Sequence, residues 1–215
     1  MKLLQVAAGK PIFPLVLAAV TTQMRPGELY ALDWEHVDIE NRVIEIRRTM
    51  TDTTKGPVVG EKPKTKKALR MVRMPQILAD AFAELKARSR CEHVFSSPDG
   101  KRLRRQNVQR RAWKPLLEEA GLPDISFYNL RSSGANIADK IPDMARSILS
   151  TRMGHADEKT TEIYLDPNVV LQTPIADRFD QIFKSLQSSG LSASVPTAVP
   201  TRKTLRTRAK KKARA

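Results

Sequence analysis

The chain has 215 residues, with 38 Lys or Arg against 23 Asp or Glu and a formal net charge of +15. That length can bury a real core and suits one domain, or one domain with a tail. No apolar run reaches the roughly 18 residues a membrane span needs, and the single cysteine, Cys91, excludes an internal disulfide and fits a reducing cytoplasm.

Ile12 to Thr22 reads as a buried helix. Gly9-Lys10-Pro11 splits the apolar stretch ahead of it, which argues against a secretory leader. Pro26 opens the next helix at its first turn. A residue before proline is kept out of the helical region, so Arg25 is expected at the helix mouth. Leu29, Leu32 and Trp34 are expected to face inward. Residues 42–47 alternate charged and apolar side chains, the pattern of a half-buried strand. Lys55 to Lys67 reads as a polar link, and Leu69, Met71, Val72 and Met74 as a partner strand. An amphipathic helix is expected over Ile77 to Arg90, and a turn at Pro98-Asp99-Gly100. A basic helix runs from Asn107 to Ala120 and stops at Gly121. Leu130 to Lys140 is a helix, and another runs from Pro142 to Met153 and ends at Gly154. Asp157 suits the N-cap of a short helix carrying Thr160, Thr161 and Tyr164. Asp166-Pro167 breaks the chain, and Val169 to Leu186 is mainly helical. The sum is an α+β domain, mainly helical, with a small antiparallel sheet near the N-terminus.

Eight Lys or Arg and no acid fall in residues 201–215, yet the rest of the chain is still net positive. A body and a tail that are both basic point to a polyanionic partner, of which nucleic acid is the commonest. Residues 188–215 lack periodicity and are expected to be disordered. Arg104, Arg105, Arg110 and Arg111, on or beside the basic helix, are candidates for contacts with a nucleic-acid backbone. An exposed charged face is the equally plain alternative. His36, His93 and His155 are scattered, and no carboxylate cluster has ligand spacing, so neither a metal nor another cofactor is expected.

Four stretches in order carry more information. They are Arg25-Pro26-Gly27-Glu28, Pro63-Lys64-Thr65-Lys66, Tyr128-Asn129-Leu130-Arg131, and Met153-Gly154-His155 with Tyr164 nine residues after the histidine. Singly they are ordinary: an ion pair on a helix, a solvated basic loop, a packed tyrosine. Together they resemble the tyrosine recombinase (phage integrase) family. Its pattern reads Arg-x-Gly-Glu, Lys-Thr on a hairpin, His-x-Leu-Arg, Leu-Gly-His, then the nucleophilic Tyr. The resemblance implies a tyrosine recombinase catalytic domain over residues 1–187, without the family's N-terminal core-binding domain, followed by the basic tail 188–215.

The resemblance also implies the roles. Arg25 and Arg131 would hold the phosphate with planar, permanently charged forks. Lys64 would protonate the departing 5′ oxygen, although Lys62, Lys66 and Lys67 lie close enough in sequence to compete. His155 would be a further donor and Tyr164 the nucleophile, giving a 3′-phosphotyrosyl intermediate. Glu28 would orient Arg25. Tyr128 stands where the family usually has His; it can exchange a hydrogen bond but titrates far from neutral pH, and simple packing beneath the site is the equal alternative. The implied function is a site-specific recombinase or integrase acting on double-stranded DNA in the cytoplasm, as a homo-tetramer, with no membrane. The segment from Val169 to Lys184 would pack onto a neighbouring subunit. A DNA-binding module without productive recombination and a type IB-like topoisomerase are the alternatives.

Overall fold

The computed structural model describes residues 2–54, 56–60, 69–142, 145–154 and 169–187. Lys64, His155, Tyr164, the short helix expected after Asp157 and the tail from residue 188 lie outside the described residues. At the centre is α2 (Phe13–Thr22), in which every residue is buried. A helix apolar all round belongs in a core. Its proline falls in the first turn, where a missing N–H leaves no bond unmade. It ends at Gln23, which adopts the left-handed conformation with φ 53°. That conformation is uncommon for a residue with a side chain. Gln23 is held there by its own amide, whose Nε2 donates to the carbonyls of Val20 at 2.8 Å and Thr21 at 3.1 Å.

Helices α1 (Lys2–Ala7), α3 (Pro26–Tyr30), α4 (Gln76–Arg88) and α7 (Asn129–Ala138) surround α2. The closest approach is with α7, at Gly134. A Cβ there would lie 2.0 Å from the carbonyl oxygen of Val20, so only glycine lets the two backbones meet. Gly134→Ala is therefore expected to destabilise the domain by about 1–3 kcal/mol. Thermal denaturation would read this directly, and an unchanged Tm would contradict the packing.

Three antiparallel strands lie in the order β1 (Val37–Asp38), β2 (Val43–Ile46), β5 (Arg70–Arg73). Ile44 pairs with Val72 across the β2–β5 ladder, and both are buried. The partner strand is thus where the alternation put it. The polar link is shorter than the sequence suggested, because β3 (Thr49–Thr53) and β4 (Gly56–Gly60) form a separate hairpin. Thr49, Thr51, Thr53, Val58 and Val59 are β-branched and suit a strand. Only Met50 of the two strands is buried, so no hydrophobic alternation announced the hairpin.

The basic helix is longer than expected and interrupted. It comprises α5 (Arg105–Val108), a π turn over Gln109–Trp113, and α6 (Lys114–Ala120), closed by Gly121 at φ 59°. Pro115 cannot donate to the carbonyl four residues back, and the wider turn precedes it. Helix α8 (Arg146–Met153) starts four residues later than expected, because Ala145 is extended with ψ 124°.

The last helix, α9 (Thr173–Gln187), buries Ile175, Ala176, Phe179 and Phe183. It docks on α4 of its own chain. Asp180 accepts from the backbone N–H groups of Gln76 at 2.8 Å and Ile77 at 3.0 Å, capping the start of α4. Within the chain the apolar face of this helix is buried on α4, whereas Val170 and Leu171 ahead of it are exposed. Among the described residues, no helix is long and apolar enough to cross a membrane.

Candidate active site

Arg25 is extended (φ −69°, ψ 146°) and forms the N-cap of α3, as Pro26 requires. Glu28, three residues on, reaches back. Its Oε2 accepts from the backbone N–H of Arg25 at 2.7 Å, and its Oε1 accepts from Arg25 Nη1 at 3.0 Å. The same carboxylate takes both terminal nitrogens of Arg70, Nη1 at 2.9 Å and Nη2 at 2.8 Å. Glu28 therefore orients Arg25, and Arg70 holds Glu28. Arg70 points inward because it shares the buried face of β5 with Val72.

Three guanidinium groups meet at the C-terminal end of α8. Arg70 Nε donates to the carbonyl of Arg152 at 2.8 Å, Arg131 Nη2 to that of Met153 at 2.7 Å, and Arg25 Nη2 to that of Gly154 at 3.0 Å. A helix end leaves its last carbonyls without helical partners and carries partial negative charge, so cations there satisfy both needs. Gly154 closes the helix at φ 67°. A Cβ at Gly154 would come within 2.9 Å of Arg70 Nη1, so glycine is needed for the turn and for the guanidinium beside it. The next residue in sequence is His155.

Arg131 is buried on α7, and its Nη1 donates to the carbonyl of Gln23 at 2.5 Å. Its Nε has no partner among the described residues. Burial, and then the neighbouring charge of Arg25, pull its pKa down to about 10, so it stays protonated at neutral pH. Burial alone would raise the Glu28 carboxyl. The hydrogen bonds and charge of Arg70, and the backbone N–H of Arg25, hold it below its ordinary value instead. Arg152 is fully buried, and its pKa falls to about 9 through burial and the charge of Arg70. The described network thus joins four guanidiniums and one carboxylate. Such a surplus favours an anion.

Tyr128 precedes α7 and is 48% exposed. It faces solvent near Arg131 and does not pack beneath the site. Phe127 beside it stacks on Tyr30 of α3, with ring centroids 6.4 Å apart, and meets Trp113 edge-on at 5.1 Å. These rings fix the start of α7 against α3 and the π turn. Arg104, Arg105 and Arg110 are exposed and Arg111 is half-buried. Arg105 lies close enough to Tyr30 for its charge to be felt there.

The sequence profile described as the phage integrase family matches residues 8–169. The chain belongs to the phage integrase family. A curated relative, the tyrosine recombinase XerC-like protein of Caldanaerobacter subterraneus subsp. tengcongensis, is 26% identical over 157 residues. That match covers 62% of this chain and 40% of the relative, so the chain spans about two-fifths of that protein's length. The fold is similar to that of the Tn1549 transposon integrase solved in complex with a circular intermediate DNA, with a TM-score of 0.64 and 17% identity over 86% of this chain and 62% of that one. The XerA recombinase structure is similar at a TM-score of 0.57, again with 17% identity, over 86% of this chain and 62% of that one.

In this phage integrase family member the structure brings Arg25, Glu28 and Arg131 together. It adds Arg70, Arg152, Gln23 and Gln172, which the motifs did not name. A separate group, Asp33, Glu92 and His93, also comes together. Asp33 there accepts from Arg48 at 3.0 Å, Arg102 at 2.6 Å and His93 at 2.8 Å. Two guanidiniums already occupy that carboxylate and would repel a cation, so the group reads as a buried ion-pair hub that ties Asp33 to the 93–102 loop.

Proposed function

We propose that this chain is the strand-cutting and rejoining domain of a site-specific DNA recombinase, with residues 1–187 as the catalytic unit. One observation carries the reading. Arg25 and Arg131, on helices far apart in sequence, converge on the last carbonyls of α8, one residue before His155. Preorganised cations aimed at a reacting phosphate stabilise the charge that grows on its oxygens.

In the proposed reaction the phenol oxygen of Tyr164 attacks the phosphorus of a DNA phosphodiester. A phosphorus–oxygen bond to Tyr164 forms, and the bond to the 5′ oxygen breaks. The phenol proton passes to a nearby base or solvent, and Lys64 delivers a proton to the departing 5′ oxygen. The products are a 3′-phosphotyrosine and a free 5′ hydroxyl. The phosphodiester bond energy is kept, so a 5′ hydroxyl of another strand can reverse the step without ATP. His155 donates to the phosphate oxygens, Glu28 orients Arg25, and Tyr128 offers a hydrogen bond at the rim. Assembly as a homo-tetramer on paired DNA sites belongs to the same proposal.

The test is a covalent-adduct assay. The protein is mixed with nicked duplexes from the ends of its host element, denatured, and examined for protein-linked DNA. An adduct supports the reading. Bound DNA without an adduct favours a binding module, and sequence-independent relaxation of supercoiled DNA favours a topoisomerase.

Arg110 and Arg111, on the π turn, are the proposed backbone contacts. Each phosphate contact contributes about 0.9 to the slope of log affinity against log salt. Replacing both with Ala is expected to lower that slope by about 2. An unchanged slope would place the DNA on another face.

A further inference from the structure

Arg152 is fully buried, and among the described residues it makes four hydrogen bonds, none to a carboxylate. Its Nε donates to Gln23 Oε1 at 2.6 Å, Nη1 to Gln172 Oε1 at 2.5 Å, and Nη2 to the carbonyls of Thr21 at 2.6 Å and Arg73 at 3.0 Å. A buried cation with no counterion among the described residues is expensive, and an apolar side chain would serve simple packing better. Gln172 is equally committed. Besides Arg152, its Oε1 accepts from the backbone N–H of Arg73 at 3.0 Å, and its Nε2 donates to the carbonyl of Met71 at 3.1 Å. Gln172 is 1% exposed.

The position of this pair in the chain is what gives it meaning. Arg152 is three residues before His155, and Gln172 is eight residues after Tyr164. Their hydrogen bond joins two points 20 residues apart and brackets both groups. Arg152 is tied in turn to Gln23, whose carbonyl holds Arg131. Gln172 sits directly ahead of α9, which Asp180 anchors to α4. One amide and one guanidinium thus fix both ends of the nucleophile's stretch to the frame that holds the phosphate-gripping arginines. Gln172 also lies beyond residues 8–169, the part matched to the family.

We propose that Arg152 and Gln172 are positioning residues that set the delivery of Tyr164 to the phosphate held by Arg25 and Arg131. The inference rests on the proposed role of Tyr164. Reacting groups must be held close to their attack geometry, and a misplacement of about 1 Å can lower a rate roughly 100-fold.

The experiment measures single-turnover adduct formation at saturating nicked DNA, for the wild-type chain and for Gln172→Ala. Ile175, Phe179 and Phe183 still dock α9 in the variant, so it should stay folded at the assay temperature with DNA affinity little changed. Tm should fall, because the Arg152 guanidinium, the Arg73 N–H and the Met71 carbonyl lose a buried partner. The adduct rate is expected to fall about 10- to 100-fold. Gln172→Glu keeps an acceptor for Arg152 and should recover part of that loss. A duplex carrying sulfur in place of the 5′ bridging oxygen has a better leaving group and needs no proton donor, so the defect should persist on it. A wild-type rate in Gln172→Ala, or a defect that vanishes on the sulfur substrate, overturns the positioning role alone. A wild-type chain that forms no adduct on either substrate overturns the nucleophile reading and this inference with it.

Discussion

Tyr164→Phe is expected to remove the covalent protein–DNA adduct completely while leaving DNA affinity within a few-fold of wild type. The substitution deletes the one oxygen that would bond to phosphorus and keeps the ring. The chain has three tyrosines, so the alternatives are few. Tyr30 is 2% exposed, and burial pushes its phenol well above its ordinary pKa. It cannot reach a DNA strand or ionise near neutral pH. Tyr128 is the real competitor, because it is exposed and stands next to Arg131. Tyr128→Phe, run beside Tyr164→Phe, separates them. An adduct lost only in the Tyr128 variant would move the nucleophile to the start of α7. Loss in the Tyr164 variant with a slowed but present adduct in the other would give Tyr128 the hydrogen-bonding role proposed for it. A phenol is a weak nucleophile at its free pKa of about 10, so the pH dependence of the wild-type rate is also informative. The arginine surplus should let the reaction proceed well below that value.

The second large effect is on stability. Glu28→Gln leaves Arg70, 4% exposed, without its counterion. Removing one partner of a buried pair typically costs about 3–5 kcal/mol. For a domain of this size that corresponds to a Tm lower by roughly 6–20 °C. Changing both partners, as Glu28→Met with Arg70→Met, should recover much of the loss, since no uncompensated charge is then buried. A double variant no more stable than Glu28→Gln would mean that the loss comes from something other than the stranded charge. The pH profile adds a second check. The folded Glu28 carboxyl titrates below its ordinary value of 4.5. Its stabilisation is therefore fully present above that value and is lost as pH falls through the lowered folded pKa. Glu28→Gln should show a shallower acid limb. It should not abolish the limb, because Asp33, held down by Arg102 and His93 against its own burial, follows the same sign.

Local rules made part of the site legible in advance. Pro26 forces Arg25 to a helix mouth, and Gly154 ends α8, whatever the rest of the chain does. What escaped was long-range. Arg152 follows Ile148 and Leu149 at helical spacing, and Arg70 keeps strand phase with Val72 and Met74. An arginine in an apolar stripe is a signal, but it says only that the residue turns inward. It does not say which carbonyls or amides 20 to 131 residues away will receive it. The β3–β4 hairpin escapes for the opposite reason: Met50 alone of its strand residues is buried, so no buried face wrote a pattern into the sequence. The π turn had a visible cause in Pro115, yet a proline inside a helical pattern predicts a break more readily than an extra residue in the turn.

Gln172 has one more consequence, for the sheet itself. Among the described residues β5 is an edge strand, with β2 on its other side. The side-chain amide of Gln172 receives the N–H of Arg73 and donates to the carbonyl of Met71. That is the donor–acceptor pair a neighbouring peptide group would offer. A single side chain therefore stands in for a missing strand. An open edge is a template for other chains, so a polypeptide ending before residue 172 would lose this stopper together with α9. Self-association and poor solubility are the expected fate of such a fragment.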